Sequence, residues 1–184
     1  MEKLILASNS PRRRELLSEI CEFEVVPSLF EEKAENLTAK ETVLAFAQGK
    51  AEEVASRFPN RYVLGADTVV SYAGEILGKP KNKADAAEML RKLSGNTHSV
   101  FTGVCLVGGG QTFLEAVETK VTFFELSEEL IAAYVNSGLP LDKAGAYGIQ
   151  DGYPLVKSYE GQYSNVVGLP VETVRELLKK GYLC

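Results

Sequence analysis

An arginine-rich helix start and a single acid inside an apolar strand are the residues of this sequence best suited to chemistry. The apolar run from Lys3 to Ala7 leads into Ser8, Asn9, Ser10 and Pro11, and Arg12, Arg13 and Arg14 follow at once. Ser10 can cap a helix, and Pro11 suits its first position, where a missing N–H leaves no bond unmade. The positive end of a helix dipole favours acids, so three cations in that first turn work against local stability. A bound anion would compensate: free N–H groups, two serine hydroxyls and forked guanidiniums together suit a phosphate. A solvated basic turn is the plainer reading of the same residues.

The acid is Asp67, set between the apolar run Tyr62 to Ala66 and the strand-like Val69 to Tyr72. A buried carboxylate without a partner is costly, so Asp67 is either paired for structure or poised for chemistry. Lys50 is the matching oddity among cations. It interrupts the helical stripe Val43, Leu44, Ala47, Ala51, Val54, Ala55 and Phe58, where it either snorkels to water or aims its ammonium into a cleft. The anomalous cations are Arg12, Arg13, Lys50, Lys79 and Lys143, and the anomalous acids are Glu32, Asp67 and Asp142. Such a set suits a phosphate ester and a divalent metal: cations hold charged oxygens, while carboxylates hold the metal or take a proton from water.

Other chemistries find little support. His98 is the only histidine, so a Ser-His-Asp triad could be built in one way only, and there is no G-x-S-x-G elbow. His98 stands at the head of a strand and reads as a hydrogen-bonded structural residue. The phosphate loop G-x-x-x-x-G-K-[ST] is absent, and Gly108 to Gly110 lack dinucleotide-fingerprint spacing and read as a turn. Cys21, Cys105 and Cys184 are far apart and read as small apolar filler or tail residues. A net charge of -5 argues against a nucleic-acid surface or an anionic membrane as partner. No membrane-length apolar segment or signal-peptide pattern is seen, so the expected compartment is the cytoplasm.

The elements that must position these residues follow from period and punctuation. Strands are predicted at Lys3 to Ala7, Glu22 to Ser28, Tyr62 to Tyr72, Glu75 to Leu77, His98 to Val107, Gln111 to Phe124, Tyr153 to Ser158 and Tyr163 to Val167. Helices are predicted after Ser10, after Thr38 with its capping-box partner Glu41, from Asn82 to Leu93, after Ser127, and from Pro170 to a stop at Gly181. Between the last two helices, Leu141 to Gln150 forms a dense loop whose glycines permit close backbone approach. Hydrophobic content of 45% in 184 residues suits one domain with a real core. Long hairpins exclude a purely parallel sheet, so the fold class is α/β, a mixed twisted sheet flanked by helices.

In order along the chain, Ser8-Asn9-Ser10-Pro11-Arg12-Arg13, Glu31-Glu32, Gly65-Ala66-Asp67-Thr68-Val69, Gly78-Lys79-Pro80, Leu93-Ser94-Gly95 and Asp142 to Gln150 match a known pattern. The sequence resembles the Maf (septum formation inhibitor-like) nucleoside triphosphate pyrophosphatases of ITPase-like fold. The resemblance implies a single two-lobed domain over residues 1–184 with a central cleft. It also implies a reaction, in which a nucleoside triphosphate and water give the monophosphate and pyrophosphate with Mg or Mn as cofactor. Asp67 then matches the proton acceptor and a metal partner, and Glu32 a second acid at the metal. Ser8, Arg12, Arg13, Lys50 and Lys79 match phosphate-holding positions. Arg12, Thr68 and Gln150 match the specificity positions of the branch resembling dTTP/UTP pyrophosphatases, and a glutamine amide suits the imide edge of thymine or uracil. A homodimer is implied as well. The alternative from another class is a nucleotide-binding regulator of cell division or septum formation that acts through a protein partner.

Overall fold

A computed structural model describes residues 2–33 and 35–182 of the chain. The tail residue Cys184 therefore lies outside the described residues. In chain order the elements are β1 (Leu4–Leu6), α1 (Pro11–Ser18), β2 (Phe23–Val25), α2 (Ala39–Arg57), β3 (Val63–Tyr72), β4 (Glu75–Leu77), α3 (Lys83–Leu93), β5 (Thr97–Gly108), β6 (Gln111–Phe123), α4 (Glu128–Asn136), β7 (Val156–Glu160), α5 (Tyr163–Val167) and α6 (Val171–Gly181). Two short 3-10 turns, Leu139–Asp142 and Ala144–Ala146, follow α4.

The seven strands form one sheet in the order β2-β1-β3-β5-β6-β7, with β4 paired to β3. Pairing is parallel for β1 with β2 and with β3, and antiparallel for β3 with β4 and β6 with β7. The expected mixed sheet with helices is thus present. The chain divides into two compact units: Met1–Thr68, Thr102–Val117 and Gly168–Cys184 form the first, and Val69–Phe101 with Glu118–Val167 the second.

Strand alternation organises the first unit. Leu4, Leu6, Leu64 and Ala66 pack with Leu17 of α1 and with Val174, Leu177 and Leu178 of α6. Ile5 and Val63, the odd members of the same strands, and Ala7 just after β1 pack instead with Ala47, Ala51 and Val54 of α2. Successive side chains leave a strand on opposite faces, so this parity decides what each later residue of β3 can reach.

The second unit has its own core, built from residues such as Val70, Leu77, Leu90, Leu93, Phe123, Ile131, Tyr134 and Tyr147. Phe123 and Tyr147 meet edge to face with centroids 4.8 Å apart, and His98 stands edge-on to both. His98 Nε2 lies 2.6 Å from the Tyr147 hydroxyl, as expected of a structural histidine.

Caps fall where their sequence chemistry puts them. Ser10, Thr38, Asn82 and Ser127 accept from the backbone N–H three residues on, and Thr38 with Glu41 closes a reciprocal box. Three expectations need correction. The strand expected over Glu22 to Ser28 is confined to Phe23–Val25. Tyr163–Val167 is a short helix, not a strand. Its alternation was misleading because the buried Asn165 uses its amide to donate to Val100 O and Thr119 Oγ1, which fixes the segment by side-chain bonding. The strand predicted from Tyr153 begins only at Val156, since Tyr153 to Leu155 turn back on themselves through a Leu155 N–H to Tyr153 O bond.

Candidate active site

The parity of β3 sends Asp67 and Thr68 to different neighbours. Gly65 and Asp67 share the strand face that carries α2. A Cβ on Gly65 would sit 2.5 Å from Ala47 O and 2.8 Å from Ala51 N, so its missing side chain lets the helix lie directly on the strand. Lys50, between those two alanines, is thereby brought down on Asp67. Its Nζ donates to Asp67 Oδ1 at 3.0 Å, reaches Ala66 O at 3.5 Å, and pairs with Glu32 Oε1 at 2.6 Å.

Glu32 comes from a stretch without helix or strand, yet that stretch is pinned. Phe30 fills the space over Gly49, where a Cβ would meet its ring at 2.3 Å, and stands edge-on to Phe46 with centroids 6.1 Å apart. Ser28 and the Leu29 N–H both donate to Glu53 of α2. Glu32, two residues beyond Phe30, arrives at Lys50 with its side chain 48% exposed, whereas that of Asp67 is only 10% exposed. One carboxylate faces water and the other does not.

Thr68 takes the opposite face and meets Arg13. The guanidinium donates from Nε to Gly168 O at 2.8 Å, from Nη1 to Ser8 Oγ at 3.4 Å and from Nη2 to Thr68 Oγ1 at 3.0 Å. Thr68 Oγ1 is also 2.8 Å from Thr102 Oγ1. Ser8 Oγ in turn accepts from Ser10 N–H, so the opening turn, the Arg13 fork and β3 form one bonded unit. Burial disfavours the Arg13 cation; Asp67 and then Glu32 support it, and neighbouring Arg12 opposes it. Thr102 and the Gly168 carbonyl escape sequence reasoning, because a threonine in a strand and a glycine before a helix carry no chemical signal.

Burial also raises the Asp67 carboxyl above the ordinary carboxylate range; Lys50 and Arg13 pull it back, and Glu32 adds to the rise. Its Oδ2 is buried with no hydrogen-bond partner among the described residues. An acceptor left open on a carboxylate of raised basicity can receive a proton or meet a cation. The oxygens of Asp67 and Glu32 are hard donors of the kind Mg and Mn prefer. Among the described residues no group of three or more His, Cys, Asp or Glu could hold a metal. Two carboxylates with substrate or water oxygens completing the shell match the habit of Mg, so the residues fit such an ion.

Of the remaining expected residues, Arg12 is half-buried in the first turn of α1. Lys79 and Gln150 belong to the second unit, where both are exposed. Lys143, among the anomalous cations, is committed to structure: its Nζ donates to Leu139 O at 2.6 Å and Asp142 Oδ1 at 3.1 Å, and Asp151 Oδ2 lies 3.5 Å away. The structure thus joins Ser8, Arg13, Glu32, Lys50, Asp67 and Thr68 within the first unit.

The family described as Maf-like protein matches residues 3–181. The chain belongs to this family. Relatives agree over almost their full length. A relative from Pyrococcus abyssi (strain GE5 / Orsay), named dTTP/UTP pyrophosphatase, is 48% identical over 97% of this chain and 96% of its own. Proteins of the same name from Geobacillus sp. (strain WCH70) and Bacillus anthracis are 48% and 50% identical, covering 99% and 96% of this chain and 100% and 95% of theirs. The Maf resemblance carried by the ordered motifs is borne out. No helix among the described residues is long and apolar enough to cross a membrane.

Proposed function

We propose that this chain hydrolyses dTTP and UTP to the monophosphate and pyrophosphate. The observation that carries the reading is its 46–50% identity, over nearly all of both chains, to relatives that bear this activity in their names. Asp67 is read as the proton acceptor. As water attacks the alpha phosphorus, its oxygen bonds to phosphorus, its proton passes to the carboxylate, and the bond to the bridging oxygen breaks to release pyrophosphate. The raised basicity and open Oδ2 of Asp67 support that role. Mg or Mn, held by Glu32 and Asp67, would supply Lewis-acid stabilisation of charge on the phosphate oxygens.

Ser8, Arg12, Arg13, Lys50 and Lys79 are assigned to the phosphates, and Arg12, Thr68 and Gln150 to selection of the base. The Arg13 fork is held rigid by Gly168 O and Thr68 Oγ1, which supports a preorganised cation instead of one recruited on binding. Residues 1–184 are read as one working domain, a homodimer of the cytoplasm. A panel of purified nucleoside triphosphates with Mg or Mn, resolving monophosphate, pyrophosphate and phosphate, tests the reaction. Preferential turnover of dTTP and UTP to pyrophosphate is expected, and release of inorganic phosphate alone would overturn the reading. Sedimentation equilibrium tests the dimer.

A further inference from the structure

Lys50 sits where two carboxylates converge. Its ammonium has three N–H donors and three oxygens about it, Glu32 Oε1 at 2.6 Å, Asp67 Oδ1 at 3.0 Å and Ala66 O at 3.5 Å. The ammonium is thereby fully engaged, by hydrogen bonds to Asp67 Oδ1 and Ala66 O and by ion pairing with Glu32. Asp67 is not: only 7% exposed, it keeps Oδ2 without a hydrogen-bond partner among the described residues. Lys50 is the one cation bonded to the two carboxylates, and one deeply buried acceptor is still left open, which is an incomplete arrangement for a purely structural ion pair.

Charge supplies the second strand of argument. Lys50, Glu32 and Asp67 together carry one net negative charge, which neighbouring Arg13 offsets. With a divalent ion on the two carboxylates the same groups carry one net positive charge. Only then does the ammonium have no further need of both acids. Its long, flexible stem rises from α2 with the side chain 16% exposed, so the head can turn from carboxylate to a neighbouring anion without moving the helix.

We infer that Lys50 is an internal counter-cation of the metal pair, competing with the divalent ion for Glu32 and Asp67 and passing to triphosphate oxygens once the ion is in place. This rests on the reading above that those two acids hold the metal. In the resting protein the ammonium keeps Glu32 and Asp67 together. On loading it gives up both acids, and its charge becomes available to the substrate in the same step. Metal and nucleotide then favour each other's binding, since by linkage whatever one gains from the other is reciprocated.

Manganese affinity of the nucleotide-free protein, followed by the paramagnetic resonance signal of free Mn2+, tests this without reference to turnover. Lys50→Met removes the competitor and keeps much of the stem. It is expected to bind Mn2+ about ten-fold more tightly than the wild type, with Lys50→Gln behaving alike. Adding Glu32→Gln to Lys50→Met should reverse the gain. Equal or weaker Mn2+ affinity in the folded Lys50 variants, with Glu32→Gln still lowering it, would overturn the competition while sparing the metal site. If instead wild type and Lys50 variants bind no Mn2+, the metal assignment itself fails. The Nζ resonance of Lys50 in 15N-lysine wild-type protein, titrated with Mg2+, gives a readout free of substitution. A shift that saturates with metal is expected, and an unmoved resonance at saturating Mg2+ overturns the proposal.

Discussion

Each unit buries a lysine against two acids, yet the two clusters differ in what they leave open. In the first, Lys50 meets Glu32, Asp67 and the Ala66 carbonyl. In the second, Lys143 meets Asp142, Asp151 and the Leu139 carbonyl. Each ammonium makes two hydrogen bonds and one further ion pair, so the contrast lies with the acceptors. Asp151 Oδ2 also accepts from the Tyr134 hydroxyl at 2.6 Å, and that hydroxyl accepts from Gly148 N–H at 2.8 Å. Asp67 Oδ2 has no such partner among the described residues. An acceptor left open on a buried carboxylate can take a proton or meet a cation, whereas a network closed on itself offers no such opening. Lysine with two carboxylates is not by itself a diagnostic pattern, and neither is a buried atom without a partner, which His98 Nδ1 also shows among the described residues; what sets the first cluster apart is an open acceptor on the paired carboxylate itself.

The largest expected effect breaks this comparison or confirms it. Asp67→Asn should lower turnover of dTTP by ~100-fold or more, because an amide cannot take the proton. Its urea midpoint should stay close to that of the wild type, since Lys50 keeps Glu32 and the Ala66 carbonyl. Near-normal turnover would remove Asp67 from the chemistry, and unfolding would make it the architectural twin of Asp151.

Lys143→Met should do the reverse. It leaves the Asp151 charge buried beside Tyr134 and strips Leu139 O of its donor, a change expected to cost about 3–5 kcal/mol of stability. Equilibrium unfolding in urea measures it. A loss under about 1 kcal/mol would show that the second cluster is no more structural than the first.

The histidine of the second unit extends the contrast to pH. Burial lowers His98 from 6.5 to about 4, so the folded protein holds it neutral. As pH falls through 6.5 the unfolded chain takes up the proton first and the native state does not. Stability from this group is therefore complete above pH 6.5 and lost progressively toward pH 4, by up to about 3 kcal/mol. The difference in unfolding free energy between wild type and His98→Gln should narrow over that window. A constant difference would mean that His98 is not held neutral.

What could be read in advance divides along similar lines. Caps, turns and strand–turn–helix order were legible because they depend on neighbours in sequence: Ser10 with Arg13 N–H, Thr38 with Glu41, and Ala73 with Gly74 at positive φ between β3 and β4. Asp67 and Lys50 were legible as oddities, each polar in an apolar pattern. Their meeting was not, because it depends on α2 settling on Gly65, and a glycine within a strand does not announce which helix it admits. Arg13 and Thr68 lie 55 residues apart, and strand parity alone brings them to one face. Tyr163–Val167 was misread because a five-residue segment is governed by its contacts, here those of Asn165, more than by its own period.

The smallest effect is the sharpest discriminator. Tyr134→Phe deletes one oxygen and leaves the ring in place beside Tyr153, whose centroid is 4.6 Å away. That oxygen both donates to Asp151 and accepts from the Gly148 N–H, and burial followed by the Asp151 bond raises its hydroxyl well above the ordinary range, so it stays a donor at any physiological pH. Removing it leaves a carboxylate oxygen and a backbone N–H short of a partner, and about 1–3 kcal/mol should be lost. If the second cluster is architecture, combining Tyr134→Phe with Lys143→Met should cost less than the two losses added, because both act through Asp151. Combining Tyr134→Phe with Lys50→Met should be additive, since those residues share no partner. Strict additivity in the first pair would mean that the network is not a unit, and the distinction between a closed cluster and an open one would lose its energetic basis.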